Sequence, residues 1–223
     1  KNISLPFDAN QVNAVCQDSQ GLVWLGTRRG LYSYNGYDLH EYQDERHLDL
    51  NQIYAVVHVN LDREYLCLGT GRGVKWFDLT DECIRSPYPH SEITKAVRSL
   101  AVYGGYLWIG TLDNGLKRMS LTDGEIEDSV LDEGKETTIY SLEPTDDGLF
   151  VASYEHLSRY DEKTGQRRTI RLYGSGKRMV NSLLYDKEAS CVWVGVKGCL
   201  YKYDVATEEV VRYIEVPGIS LKT

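Results

Sequence analysis

The stretch QDSQGLVWLGTRRGLYSYNGY, residues 17–37, contains a polar turn, a tryptophan, a Gly-Thr step and a Gly-Leu-Tyr-Ser-Tyr run in quick succession. Its glycines and arginines raise the question of whether it binds phosphate or is a piece of architecture. The number of times that the pattern occurs decides between the two.

The pattern occurs five times. The glycine of Trp-Leu-Gly, or the alanine that replaces it in the fourth copy, lies at positions 26, 69, 110, 152 and 195, so that successive copies are 43, 41, 42 and 43 residues apart. A catalytic device rarely occurs five times, and we therefore interpret the repeat as architectural. The related GTGRG segment, residues 69–73, lacks the Lys-Ser/Thr ending of a phosphate-binding loop, and no helical pattern follows it.

Each copy alternates apolar and polar residues over short stretches, which is typical of β-strands. In the first copy the pattern predicts strands at residues 13–17, 22–26, 30–34 and 38–42, joined by polar or glycine-rich turns. Four short strands in a unit of about 40–45 residues are the signature of a β-propeller blade. We therefore predict a single all-β domain over residues 1–223, with five four-stranded antiparallel blades at about 10–43, 51–86, 94–130, 137–173 and 179–216.

A bulky residue and a small residue recur two positions apart in each second strand. We expect the bulky side chain to pack between neighbouring sheets and the glycine to let the next blade approach closely. A cysteine in the bulky slot of the second copy favours packing over stacking on a ligand. The bulky positions are Trp24, Cys67, Trp108, Phe150 and Trp193. The small positions that are glycine are Gly26, Gly69, Gly110 and Gly195.

Composition restricts the possible partners. The net charge of −8 argues against nucleic acid or an anionic membrane surface as partner. No apolar run approaches the roughly 20 residues that span a bilayer, and residues 1–7 do not have the pattern of a signal segment.

The five cysteines form no CxxC pair, so we expect free thiols that pack as small hydrophobes. Free thiols, taken alone, favour a reducing compartment. We predict no metal site and no cofactor.

The motif QDSxGxxWxGTxxGLxxYxGY, with its Gly36–Tyr37 extension, resembles the first of the two-component regulator propeller repeats. The resemblance is to the repeats that open the sensor region of hybrid two-component systems in Bacteroides-type bacteria. It covers essentially the whole chain and weakens in the fourth and fifth copies.

The resemblance implies a periplasmic, non-catalytic part of an inner-membrane sensor histidine kinase. Such sensors carry two seven-bladed propellers, a β-sandwich, a membrane span, a kinase and regulator parts. They detect oligosaccharides released from glycans and signal to transcription. The implied partners are an oligosaccharide and the remaining propeller and sandwich domains.

Five blades are fewer than the resemblance implies, because seven units of 42 residues need about 290 residues. We expect residues 1–7 to form one strand of a closing blade and residues 210–216 to form the last strand of the fifth blade. An open arc would expose a sheet edge and sheet faces. We therefore expect imperfect closure or association with a second copy; the alternative is a five-bladed propeller closed by the N-terminal strand.

The loops between the second and third strands, here named the B–C loops, are predicted to form the ligand-binding rim. They carry four cations against two anions, whereas the turns between the first and second strands carry seven anions against two cations. Arginine suits the recognition of planar carboxylate or sulfate groups, so the rim is predicted to bind a neutral or acidic glycan fragment. The candidate ligand-binding residues are Arg28, Arg29, Arg72, Asp113, Asn114, Tyr154, His156 and Lys197, with Tyr154 and Trp76 as sugar-stacking groups.

Three alternatives stay open. The rim arginines could pair with acids of the loops between blades, such as Asp44, Glu45, Asp132 and Glu133. The chain could be a protein-interaction scaffold, which would require an exposed apolar rim. A lyase is disfavoured, because His156 beside Glu155 is the one neighbouring His-acid pair on the predicted rim and no catalytic constellation is evident.

Overall fold

The computed structural model describes residues 11–42, 50, 52–128, 138–154, 156–161, 164–172 and 179–215. These residues form five four-stranded sheets, which confirms the prediction of an all-β fold with four-stranded antiparallel blades. The expected closing strand at residues 1–7 lies outside the described residues.

The strands follow one another in chain order, four to a sheet. The first blade contains β1 (Val12–Gln17), β2 (Val23–Thr27), β3 (Leu31–Tyr34) and β4 (Leu39–Tyr42). The second contains β5 (Ile53–Asn60), β6 (Glu64–Thr70), β7 (Gly73–Asp78) and β8 (Cys83–Ile84). The third contains β9 (Val97–Tyr103), β10 (Tyr106–Thr111), β11 (Leu116–Ser120) and β12 (Ile126–Asp128).

The two remaining blades have the same order. The fourth contains β13 (Ile139–Thr145), β14 (Gly148–Ser153), β15 (Leu157–Asp161) and β16 (Gln166–Ile170), and the fifth contains β17 (Val180–Asp186), β18 (Cys191–Val196), β19 (Cys199–Asp204) and β20 (Val210–Glu215). Every neighbouring pair within a sheet is antiparallel, as polar hairpin turns require. In the first blade the strands begin and end within one residue of the predicted positions.

The first strand of each blade is the innermost. Strands β1, β5, β9, β13 and β17 contact one another in that order, and the second strand of each of the first four blades also contacts the first strand of the next blade. The five blades therefore follow one another around a common axis. In the described part of the chain no comparable contact joins β17 to β1, so these residues form an arc with two ends, at the fifth and the first blade.

Neighbouring blades interlock through the bulky slot. Trp24 is 2% exposed and lies in one apolar cluster with Ile53 and Val56 of the second blade. A Cβ atom built on Gly26 would lie 2.6 Å from Ile53 Cγ2 and 2.8 Å from Val56 Cγ2, so the glycine is required for this close approach. The same relation recurs at Gly69 against Val97 and at Gly110 against Ile139.

The second blade has Cys67 in the bulky slot, and its neighbour makes up the lost volume. Cys67 is paired with Trp76 on β7, whereas Trp24 is paired with Ser33 and Trp108 with Arg118. Directly opposed side chains in an antiparallel sheet project to the same face. Trp76 is accordingly 3% exposed, packed in the core between the second and third blades.

The two ends of the arc expose the surfaces that are buried elsewhere. The residues that receive the preceding blade are Ile53, Val56, Val97, Leu100, Ile139, Leu142, Val180 and Leu183, each at most 8% exposed. Their counterparts in the first blade, Val12 and Val15, are 39% and 62% exposed. At the other end Trp193 and Gly195 are half-buried, and Leu184 and Val211 beside Trp193 are exposed.

The five cysteines are free thiols. Cys67, Cys191 and Cys199 are buried, and Cys16 and Cys83 are half-buried. Burial raises the pKa of the Cys67 thiol well above its usual value, which keeps it in the neutral form. These side chains act as small apolar groups inside the sheets.

Candidate functional site

A buried hydroxyl shapes each of the first four B–C loops. Thr27 is fully buried at the end of β2; its Oγ1 donates to the carbonyl of Gly30 (2.9 Å) and accepts from the backbone N–H of Arg29 and of Gly30 (both 3.1 Å). Thr70, Thr111 and Ser153 donate to the carbonyls of Gly73, Gly115 and His156 in the same way. The threonine of the Gly-Thr step therefore fixes the loop that carries the candidate ligand-binding residues.

The fifth blade closes this loop differently. Val196 replaces the threonine and pairs directly with Cys199, which leaves Lys197 and Gly198 as a two-residue turn. Gly198 has a φ of 80°, a conformation that glycine adopts without strain. A turn this short needs no hydroxyl to close it.

All eight candidate residues lie at the B–C end of their sheets, and all are exposed. The fold places Arg28 and Arg29 on the first blade, next to the second blade that carries Arg72. It places Lys197 on the fifth blade, so that the candidates follow the whole arc. Asp113 and Asn114 lie on the third blade, and Tyr154 (54% exposed) and His156 on the fourth.

Trp76 does not belong to this rim. Its ring lies edge-on against Tyr65 and Tyr88, with centroids 5.9 and 5.7 Å apart, inside the core between two blades. The expectation that Trp76 stacks on a sugar is therefore wrong. The loop acids Asp44, Glu45, Asp132 and Glu133, and Glu155 of the rim, lie outside the described residues.

A β-bulge recurs at the second residue of every innermost strand. In β5, Ile53 pairs with Thr70 and Ala55 with Gly69, so Tyr54 between them has no partner of its own. The same register shift occurs in the other four blades. Such a bulge re-aims a side chain and is often found beside functional sites. The bulged residues, here named the inner ring, are Asn13, Tyr54, Arg98, Tyr140 and Asn181.

The inner ring lies at the same end of the blades as the B–C loops. In each blade the residue before the bulge pairs with the residue that precedes the B–C loop, as Val12 does with Thr27 and Val97 with Thr111. Because the bulged strands are the innermost, the ring surrounds the mouth of the central channel, inside the predicted rim. Asn13, Tyr54 and Tyr140 are half-buried, and Arg98 and Asn181 are exposed.

Two ring residues contact each other across the boundary between blades. The guanidinium carbon of Arg98 lies 5.5 Å from the centroid of the Tyr54 ring. A cation–π contact of this kind orients the guanidinium and leaves its N–H groups available to a planar acceptor. Asn13 Nδ2 donates to the carbonyl of Ile53 (2.8 Å), which ties the first blade to the second at the same level.

Backbone bonds connect the ring to the rim. Gln52, immediately before β5, has a φ of 60° and donates its N–H to the carbonyl of Arg28 (2.9 Å). Its own carbonyl accepts from the N–H of Gly71 (3.1 Å), in the B–C loop of the second blade. A non-glycine residue in this conformation is uncommon and is held here by these two bonds.

Sequence analysis did not single out the inner ring. Its members are the second residues of the stretches VNAV, IYAV, VRSL, IYSL and VNSL, where a polar or aromatic residue follows an apolar one. Simple alternation assigns that position to one sheet face. The bulge, which the sequence pattern does not show, places it at the channel mouth instead.

The acids at the opposite end serve the turns. Asp18 accepts the N–H groups of Gln20 and Leu22 and the Nε1–H of Trp24. Burial raises the pKa of Asp78, but the Arg63 guanidinium 2.5 Å away and the N–H groups of Thr80 and Asp81 outweigh this effect, so the pKa of Asp78 lies below its usual value.

Across the described ranges no three metal-ligating side chains come together. No helix found there is long and apolar enough to cross a membrane.

Comparison with known proteins gives a family match at the start of the chain. The model of the two component regulator propeller family matches residues 6–29, which contain the opening motif. No curated protein matches the sequence.

Solved structures extend the similarity to nearly the whole chain. The extracellular domain of BT4673 of B. thetaiotaomicron, described as a one component system in one structure and as a hybrid two component system in another, is 31% identical in both. The TM-scores are 0.84 and 0.83, over 97% and 96% of this chain. This chain spans 30% and 29% of those chains.

A third structure supports the fold. The extracellular domain of BT3049 of the same organism, described as a hybrid two component system, is 19% identical with a TM-score of 0.73; it matches 94% of this chain, which covers 31% of it. The resemblance inferred from the opening motif is thus confirmed: residues 6–29 match the two component regulator propeller family, and the chain has the β-propeller fold of extracellular domains described as hybrid two component systems.

Proposed function

We propose that the chain is the ligand-sensing part of a periplasmic sensor region in a hybrid two-component system. It detects oligosaccharides derived from glycans and passes the signal to kinase and regulator parts that alter transcription, while catalysing no reaction itself. The observation that carries this proposal is the 31% identity over 97% of the chain to an extracellular domain described as such a system.

The proposed ligand surface is the B–C rim together with the inner ring. Arg28, Arg29, Arg72 and Lys197 place four cations there, and Asp113 is the acid in the described part of these loops. A cationic rim on a chain with a net charge of −8 concentrates anionic ligands at one end of the propeller. Tyr154, exposed beside them, offers an aromatic face to a sugar ring.

The signal follows from differential binding. A ligand that binds one arrangement of the sensor more tightly than another shifts the population toward the tighter-binding arrangement. In this proposal the remaining propeller and sandwich domains of the longer protein are the elements that are rearranged. No catalytic group and no cofactor is needed for such a step.

Titration calorimetry of the 223-residue chain against a panel of neutral and acidic oligosaccharides tests the proposal. We expect saturable binding, stronger for acidic members and weakened by salt, because exposed charges are screened within about 10 Å at 0.1 M ionic strength. Arg72→Gln should weaken binding of the acidic members by about 1.5–5-fold, since exposed ion pairs contribute about 0.2–1 kcal/mol. The control is Lys187→Gln, at the acidic end, which should leave affinity unchanged. No detectable binding to any oligosaccharide of the panel would contradict the proposal.

The scaffold alternative required an exposed apolar rim. In the described parts of the B–C loops only Leu112 and Tyr154 are exposed large apolar residues. The rim therefore favours a polar ligand over an apolar protein surface.

We also propose that the isolated chain self-associates head to tail. Half of the exposed large apolar side chains among the described residues lie on the two ends of the arc, namely Val12, Val15, Leu184 and Val211. One end carries the bulky slot and glycine, Trp193 and Gly195, and the other carries the valines that receive such a slot elsewhere. Two different surfaces that fit each other form a heterologous contact, which links copies in series.

Sedimentation velocity over a range of protein concentrations tests this association. The wild-type chain should form dimers and larger species as concentration rises. Val15→Lys should shift the distribution toward monomer, because a charge would be buried in the contact. Val102→Lys, an exposed valine on the third blade, is the matched control and should not. A monomeric wild-type chain at all concentrations would contradict the proposal.

A further inference from the structure

The inner ring differs from the rim in how it is built. Rim residues lie on loops, whereas the ring residues lie on strands, at bulges repeated in all five blades. Strand positions hold a side chain more precisely than loops do. A repeat that serves packing alone does not require polar and aromatic side chains at these five positions.

We infer that the inner ring is the subsite for one uronic acid residue of the ligand, with Arg98 binding its carboxylate. This inference rests on the proposed function, since it names the chemical group that the sensor recognises. It concerns a different set of residues from the rim and can fail independently.

Arg98 is the cation of the ring, and its surroundings suit a carboxylated sugar. It lies on the third blade between Tyr54 and Tyr140, which occupy the equivalent positions on the blades at either side. The guanidinium carbon of Arg98 lies 5.5 Å from the centroid of the Tyr54 ring, and this contact holds the guanidinium in place. Less conformational entropy is therefore lost when a carboxylate binds to it. A guanidinium fork matches the two oxygens of a carboxylate, which gives geometric selectivity as well as attraction.

The other ring members fit the sugar ring itself. Tyrosine presents an apolar face with a polar tip, and Tyr54 and Tyr140 are half-buried, so each exposes part of that surface. The Tyr54 hydroxyl lies 3.4 Å from Gln52 Oε1, which links the ring to the residue that joins the two B–C loops. Asn181 offers amide donors and acceptors for hydroxyl groups. A saccharide with one carboxylate therefore carries groups that are chemically suited to these side chains.

The described residues around Arg98 include more cations than acids. The acids Glu92 and Asp113, in the described loops around Arg98, are exposed. Lys95 lies three residues before Arg98, in the segment that precedes β9. Among the residues that the structure describes at this end, the cations Arg28, Arg72, Lys95 and Arg98 therefore outnumber the acids. An anionic group is therefore favoured there over a cationic one.

Two disaccharides that differ only at C6 test the inference: α-1,4-linked galacturonic acid and α-1,4-linked galactose. Calorimetry with the wild-type 223-residue chain should show tighter binding of the acidic disaccharide. Arg98→Gln should weaken binding of the acidic disaccharide by about 10–100-fold, the range of one charge-assisted hydrogen-bonded contact, and leave the neutral one unchanged. Arg98→Lys, which keeps the charge but loses the fork, should fall between the two.

Arg85→Gln is the matched control, because Arg85 is an exposed arginine that donates to Asp81 in the turn between β7 and β8, away from the B–C loops. It should leave both affinities unchanged, and far-ultraviolet circular dichroism should show that all variants fold. An acidic affinity that survives Arg98→Gln overturns the inference while the proposed function stands. Equal losses for Arg98→Gln and Arg85→Gln overturn it as well, since they indicate an effect of overall charge. If the wild-type chain binds neither disaccharide but binds other oligosaccharides, the uronic acid subsite alone is excluded; binding to none excludes the proposed function too.

Discussion

Replacing Trp108 by alanine is expected to lower the free energy of unfolding by about 3–5 kcal/mol, the usual cost of removing a buried aromatic side chain. Trp108 is 2% exposed and packs in one cluster with Ile139 and Leu142 of the next blade. Its ring centroid lies 5.1 Å from that of Tyr160, and its Nε1 donates to the carbonyl of Tyr103 (3.1 Å). The substitution would leave a cavity between two blades that neither sheet can close alone.

Trp193→Ala is the matched control, since Trp193 fills the same slot in the fifth blade. It is half-buried, and no further blade covers its face in the part of the chain that the structure describes. We expect a loss of about 1 kcal/mol, the centre of the distribution for point substitutions. Urea denaturation followed by circular dichroism gives both values. Equal losses would mean that the tryptophan stabilises its own sheet rather than the contact between blades.

Much of the fold could be predicted because it is repeated. A spacing of 41–43 residues between copies and a period of two within each copy fixed the number of sheets and the strand positions of the first blade. Repetition also made the bulky slot visible. A single copy would not have distinguished Trp24 from an aromatic ligand-binding residue.

The assignment of Trp76 shows where the repeat misled. In the second blade the bulky slot, two residues before Gly69, contains Cys67. The indole of Trp76 on the neighbouring strand fills the space that the small thiol does not occupy. This exchange depends on the cross-strand pairing of Cys67 with Trp76, which follows from register and not from spacing along the chain. An exposed aromatic was therefore expected where a core aromatic lies.

The candidate site was predictable only in part, for a related reason. Loop residues such as Arg28 and Lys197 can be assigned to one end of the propeller once the strands are known. The inner ring depends on an extra residue in one strand of a pair, and a bulge leaves no consistent mark in a sequence that alternates on both sides of it. Five equivalent bulges place Arg98 beside Tyr54, although the two residues are 44 positions apart.

Gly73→Ala is expected to be strongly destabilising, because the added methyl group would meet backbone atoms. A Cβ atom at this position would lie 1.6 Å from the carbonyl oxygen of Ile93 and 2.9 Å from the Cα of Thr94. Both are backbone atoms, so no side chain can rotate away, and Gly73 also has a φ of 101°. The carbonyl of Ile93 accepts from the N–H of Val74 (3.0 Å), and the carbonyl of Gly73 accepts from the Thr70 hydroxyl (2.9 Å). Relief of the clash must displace the second B–C loop and weaken these bonds.

We expect Gly73→Ala to lower the free energy of unfolding by about 3 kcal/mol or more, combining overpacking of about 1–3 kcal/mol with strain of about 1–3 kcal/mol. Gly165→Ala separates the two contributions, because Gly165 has a similar backbone conformation (φ 68°) and nothing within 4 Å of the added atom. Its cost should be about 1 kcal/mol, from backbone strain alone. Urea denaturation of both variants measures the difference, which should be at least about 2 kcal/mol if the contact with Ile93 is rigid. Equal losses would show that the loop between the second and third blades yields to the methyl group, and the glycine would then be needed for its backbone conformation only.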